Sequence, residues 1–356
     1  MTHKMALISD IHFGCRNNSE QYLEMIKKFF VETLNKLITE RKITDVRILG
    51  DLFDCRNNIN VRTLNVVLEV FEWFEKNNPS IVFTIFPGNH DVYYRNKNDV
   101  NSMKVLKKHK NIILHENIYI EEIKGKKILS VPWLVETTED EMKFKSICDD
   151  PNKSFDLCLG HFEIKGFEIN KGQYDETGKD HGTFKNFNRV FSGHYHIRNT
   201  LGKISYLGCP YQLTWSDYED KKGIHIYDID TNTTEFVENV DSPIHVKVTI
   251  DDITTKNLTV LRKIKGNYVK LIIDKKMSDT FLVQAQSKIE SLKPLKLDIE
   301  NTVIETIEEK SGINISKSND PISFLNEYVD NIELDEGIEK NDLKKILNDI
   351  YNTSLT

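Results

Sequence analysis

The chain has 356 residues, 39% hydrophobic and 29% charged, with a formal net charge of −7 at pH 7. That length suits one large core with appendages, or two to three domains, and the apolar fraction is that of a soluble globular protein. The acidic balance argues against a broad basic surface for gripping nucleic acid, and no apolar run is long enough to span a membrane.

From the start to about residue 230, short β-rich runs alternate with amphipathic helical stretches, the pattern of an α/β domain. Strands are expected at 4–9, 45–49, 81–86, 112–115, 127–131, 155–159, 189–191, 204–207 and 223–229. Helices are expected over 19–41, with Ser19 as N-cap, and over 61–77, stopped near Pro79. Leu23, Ile26, Phe30 and Leu34 have the spacing of a face packed on a sheet, a subunit contact being the other use. Strands at 244–250 and 268–273 and a helix at 280–291 predict a small α+β domain over 231–301. Residues 302–320 read as a linker. Two short amphipathic helices, 322–331 and 341–351, then form a hairpin too short to fold alone, which must pack on its own chain or on a partner.

Five cysteines (Cys15, Cys55, Cys148, Cys158, Cys209) are scattered and never spaced as CxxC. That pattern argues against a disulfide framework or a thiolate zinc site and fits a reducing cytoplasm. The N-terminal segment lacks the basic and apolar regions of a secretion signal.

Five segments follow predicted strands: Asp10-Ile11-His12, Gly50-Asp51, Gly88-Asn89-His90-Asp91, Gly160-His161 and Gly193-His194-Tyr195-His196. Loops at the carboxyl ends of strands in α/β sheets are where distant side chains converge on a ligand. Carboxylate oxygen with imidazole nitrogen suits manganese, iron or zinc better than magnesium or calcium, so this donor set points to a transition metal. One carboxylate between two such ions would hold them roughly 3.5–4 Å apart and turn a shared water into hydroxide near neutral pH, ready to attack phosphorus in line. A lone His or a lone DxH says little; the five in this order at successive strand ends say much more.

DxH, GDxxD, GNHD, GH and GHxH together resemble the signature of the calcineurin-like metallophosphoesterase superfamily, over about residues 1–230. The resemblance implies a two-sheet β-sandwich flanked by helices, here with a small α+β capping domain at 231–301, a linker at 302–320 and a helical hairpin at 321–356. It implies that Asp10, His12 and His196 hold one metal and Asn89, His161 and His194 the other, with Asp51 bridging. His90 would protonate the departing oxygen, and Asp91 would orient His90.

Gly50-Asp51-Leu52-Phe53-Asp54 with Asp91 in the third motif departs from the phosphoprotein phosphatase pattern. With the segments at 160–167, 191–196 and 206–217 it is similar to SbcD-type DNA-repair nucleases, and most closely to the recombination endonuclease subunits of T-even-type bacteriophages. That likeness implies a manganese-dependent hydrolase, with magnesium as the alternative ion, acting as double-strand exonuclease and single-strand endonuclease. It also implies a homodimer within a heterotetramer, an SbcC-type ATPase bound by the C-terminal hairpin, and work in a host-cell cytoplasm. Bound cations and a partner's charge would offset the acidic balance. Asp54 stands where cellular members carry a phosphate-positioning His. Arg16 or Arg56 could contact phosphate instead, or be solvated loop arginines; Tyr211, Trp215 and Tyr218 could stack on a base, or pack their loop. The alternatives are a phosphomonoesterase or protein phosphatase on the same fold, or a non-catalytic scaffold; the complete ligand set and the appended segments argue against both.

Overall fold

The computed structural model describes residues 3–135, 138–303, 329–330 and 340–354, the last of these with side chains only to 347. Two six-stranded sheets carry the fold. In the first, Lys4–Ile8, Asp45–Leu49, Val82–Phe86 and Ile112–Leu114 run parallel, and Gly223–Asp228 and Thr233–Glu238 extend the other edge antiparallel. In the second, Ile204–Tyr206, Phe187–Gly193, Phe155–His161 and Lys126–Val131 run parallel between two short antiparallel edges, Asn199–Leu201 and Tyr119–Ile123. Strands Tyr119–Ile123 and Thr233–Glu238 escape the sequence reading because edge strands expose alternate residues and carry many charges. The first sheet therefore continues one strand beyond residue 230.

Met5, Leu7, Leu49 and Phe86 of the first sheet share one buried cluster with Ile128, Leu157, Leu159 and Phe191 of the second, so the sheets pack face to face. The central parallel strands are buried on both faces because helices cover the outer side. On the first sheet these are Glu20–Lys28, a π-helical turn at Phe29–Leu34, Asn35–Arg41, and Val61–Asn77. Leu23, Ile26, Phe30 and Leu34 are fully buried in the core with the strand residues Ile8, Val46 and Ile48, which is the sheet-packing use expected of them. Ser19 holds the N-cap position without a side-chain capping bond, whereas Asn60 caps the second helix by accepting from the Arg62 N–H at 2.8 Å. One charged group is buried across the two sheets. Arg47 is held by Asp45 at 2.6 Å and by Glu121 at 2.5 Å, which neutralises a guanidinium that desolvation would otherwise expel.

The described residues form two compact units. One runs to Val246 and takes in Lys263–Val269 and Pro294–Lys296; the other comprises Lys247–Arg262, Lys270–Lys293 and the described residues from Leu297 on. Strands His245–Thr249, Tyr268–Ile273 and Lys296–Asn301 form a three-stranded sheet, and helix Asp279–Ser291 is capped by Ser278. The second helix of the expected C-terminal hairpin is present as Lys340–Ser354; the first, and most of the expected linker, lie outside the described residues. No described helix is long and apolar enough to cross a membrane.

Candidate metal centre

Both sheets end their parallel strands at one place. Asp10 and His12 follow Lys4–Ile8, Asp51 follows Asp45–Leu49, Asn89 to Asp91 follow Val82–Phe86, His161 ends its strand, and His194 and His196 follow Phe187–Gly193. Four of these residues have left-handed backbone: Asp10 (φ 56°), His12 (φ 53°), Asp51 (φ 51°) and His194 (φ 94°). Non-glycine residues adopt this region rarely, and it clusters where a site over-determines the backbone. Gly88 is required by proximity, since a Cβ there would collide with the Asp51 carboxylate.

The side chains form two donor groups. Asp10, His12 and His196 are one; Asp51, His161 and His194 are the other, each with ligand atoms within 4.8 Å of one another. Asp51 stands between them, Oδ2 lying 3.3 Å from His161 Nε2 and 3.8 Å from His12 Nε2. Asn89 Oδ1 joins the second group, 3.0 Å from His161 Nε2 and 2.9 Å from His194 Nδ1.

The electron pairs show why this fits a cation. His161 Nδ1–H donates to the Leu49 carbonyl at 2.7 Å, so its Nε2 carries a lone pair directed at two further acceptors, Asn89 Oδ1 and Asp51 Oδ2. His12 Nε2 and His196 Nε2 face each other at 3.1 Å, an arrangement that likewise needs a proton or a metal between them. A proton is the competitor. Burial would lower His161, but the Asp51 charge outweighs it and lifts the imidazole to about 9. In the first group, burial and the neighbouring His12 push His196 down to about 4, while Asp54 and Asp51 raise His12 against its own burial. The residues therefore fit divalent metal ions in two adjoining positions.

His90 and Asp91 behave differently from one another. His90 Nδ1–H donates to the main-chain carbonyl of Asp54 at 2.6 Å, which leaves Nε2 as its reactive nitrogen. Asp91 does not orient that ring, contrary to expectation. Its carboxylate accepts from the N–H groups of Gly88 at 2.9 Å, Phe53 at 3.0 Å and Leu52 at 3.2 Å, so it pins the loop bearing Asp51 to the loop bearing Asn89. Burial and the adjacent Asp51 push its carboxyl up to about 6.

Among the expected phosphate and base contacts, Tyr211 is buried and donates its hydroxyl to the Ile11 carbonyl at 2.7 Å, so it cannot stack on a base. Trp215 packs its ring on His245, 4.6 Å between centroids. Arg16 is exposed, but its Nε donates to the Leu213 carbonyl at 2.9 Å. Asp54 turns its carboxylate toward His12 Nδ1, 3.1 Å away, and so flanks the first donor group. Arg56 is half-buried in the loop after Asp54.

Three neighbours were missed. Trp133 lies 5.3 Å from the His194 ring and 6.0 Å from the His161 ring. Glu163 faces His194 Nε2 at 3.3 Å. Lys222, buried between Asp217 and Asp220 at 2.7 Å each, donates to the His196 carbonyl at 2.6 Å. Trp133 could have been suspected from Pro132-Trp133 directly after an apolar strand, and Glu163 from its place two residues after His161; Lys222 has no local signal.

The family model of calcineurin-like phosphoesterases matches residues 3–198, a span that holds every residue of both donor groups. The chain is also similar to exonuclease subunit 1 of Enterobacteria phage T4, 27% identical over 273 residues that make up 72% of this chain and 76% of that protein. A solved structure described as that of a novel archaeal phosphodiesterase shares 13% identity and a TM-score of 0.34, covering 66% of this chain and 99% of that one, a likeness too slight to carry argument. With the family model spanning more than half of its length and the whole of this centre, the chain belongs to the calcineurin-like phosphoesterase family.

Proposed function

We propose that this phosphoesterase is a DNA nuclease, a double-strand exonuclease and single-strand endonuclease that processes ends in recombination and repair. The observation that carries the reading is the pair of donor groups sharing Asp51, in a chain similar to a phage exonuclease subunit. Asp10, His12 and His196 would hold one ion and Asn89, His161 and His194 the other, with Asp51 between; the imidazole-rich set favours manganese over magnesium. Such a pair of ions supplies Lewis acidity and a more acidic water.

The chain's own groups do the rest. The Leu49 carbonyl keeps the His161 proton on Nδ1 and so holds Nε2 free as a ligand atom. The His194 N–H, donating to Asp10 at 3.0 and 3.2 Å, ties the fifth and first strand-end segments together. His90, with Nδ1–H on the Asp54 carbonyl, has Nε2 available to hand a proton to the departing sugar oxygen, the work of a general acid. Asp91, buried and bound to three main-chain N–H groups, keeps the Asp51 and Asn89 loops in register.

The net charge of −7 makes a second subunit the natural source of further DNA contacts. An SbcC-type ATPase docked on the C-terminal hairpin, with two nuclease chains in a heterotetramer, meets that need.

The test is cleavage of end-labelled linear duplex DNA with manganese or magnesium, beside an Asp51→Asn control and a generic phosphomonoester. Manganese-dependent degradation absent in the control is expected. Hydrolysis of the phosphomonoester with DNA untouched would overturn the nuclease reading and leave the metal centre standing.

A further inference from the structure

Beside His161 opens a cavity of about 350 Å³, at the small end of the roughly 300–1,000 Å³ usual for ligand sites. Its lining includes Arg95, Trp133, Leu134, Val135, Phe162 and Lys179. It shares His161 with the metal centre, and Trp133 touches the rings of both His161 and His194. Trp133 is half-buried and positioned by its main-chain N–H, which donates to the Pro87 carbonyl at 2.8 Å. A phosphate held at the centre would thus have its adjoining nucleoside within reach of this cavity.

The charges of the lining distinguish a base from a second phosphate. A phosphate hole presents cations free of carboxylates. Here Lys179 is committed to Glu141 at 2.9 and 3.3 Å, and Glu163, turned toward His194, brings a further negative charge to the wall. The rest of the wall is mixed: the half-buried Trp133 indole and Leu134 lie beside Thr177 and Gly178, over the buried Val135 and Phe162, with the exposed Arg95 alongside. Aromatic faces with a neighbouring cation are how proteins hold single-strand bases without reading their sequence.

We propose that this cavity is a nucleobase subsite, in which the base next to the scissile phosphate lodges against the Trp133 indole. The inference rests on the nuclease reading and deepens it. A base can enter only when it is out of its pair, so the enzyme acts on frayed or unpaired nucleotides, and a duplex end must open before it is cut.

The test is a labelled single-stranded oligonucleotide carrying one abasic residue moved position by position, cut by the wild-type chain and by Trp133→Ala and Trp133→Phe, each with its manganese content measured. The wild-type chain is expected to lose about tenfold in kcat/KM when the abasic residue occupies one position next to the scissile bond. Trp133→Ala is expected to cut the intact strand about as slowly and to be indifferent to the abasic residue. If Trp133→Ala has lost metal, the comparison passes to Trp133→Phe, in which the abasic penalty must shrink. An equal penalty in wild type and the metal-loaded variants, or none in wild type, overturns the subsite and leaves the nuclease. Phosphomonoester hydrolysis with no oligonucleotide cut overturns both.

Discussion

His90 Nδ1 donates to the main-chain carbonyl of Asp54 across 2.6 Å, while the Asp54 carboxylate turns away, to His12 Nδ1 at 3.1 Å. One residue thus serves two histidines through different groups, and substitution separates them. Asp54→Ala keeps the carbonyl, so kcat at saturating manganese should hold while manganese affinity falls about 10- to 100-fold, the usual cost of losing an outer partner of a metal-binding His. His90→Ser should do the reverse, retaining metal and losing about 10²–10⁴-fold in kcat. Metal titration beside steady-state kinetics reads both, and loss of kcat in metal-saturated Asp54→Ala would contradict the division.

Metal loading should release protons. The Asp51 charge holds His161 at about 9 against the effect of burial, so near neutral pH a proton occupies the lone pair that a metal needs. Calorimetric titration with manganese at pH 7, in buffers of differing ionisation enthalpy, should show release of roughly one proton or more per chain. Asp51→Asn removes the charge and should shrink the release. Heats that do not vary with buffer would exclude this competition.

Tyr211 should matter to stability and not to DNA. Its buried hydroxyl donates to the Ile11 carbonyl, so Tyr211→Phe should cost about 1 kcal/mol in chemical denaturation, the net worth of one such bond, and leave KM for DNA unchanged. A raised KM at equal stability would restore a stacking role.

Acid should weaken the fold through His225. Burial, then the charge of Arg198, push this imidazole down to about 3 from an ordinary 6.5, and its Nδ1 has no partner among the described residues. A depressed folded-state value means the stabilising neutral form is fully favoured above pH 6.5 and lost as pH falls toward 3. Between about pH 6 and 5 the wild-type chain should lose about 1 kcal/mol more than His225→Leu, measured by urea denaturation. Parallel curves for the two proteins would show that His225 is not the sensor.

The sequence by itself determined the α/β alternation, the two long helices and the strand-end positions of Asp10, Asp51, Asn89, His161 and His194, because periodicity and strand-terminal motifs are local properties. It could not say that Asp91 grips Gly88, Leu52 and Phe53 rather than His90, since that depends on how closely two loops approach. Nor could it place Trp133 and Glu163 beside His194, or join Arg47 to Glu121 across 74 positions. Those relations, and the left-handed backbone at four site residues, exist only once two sheets pack face to face and bring separate strand ends to one point. Which atom of Asp54 meets which histidine is a matter of ångströms in a folded loop, and residue order carries no record of it.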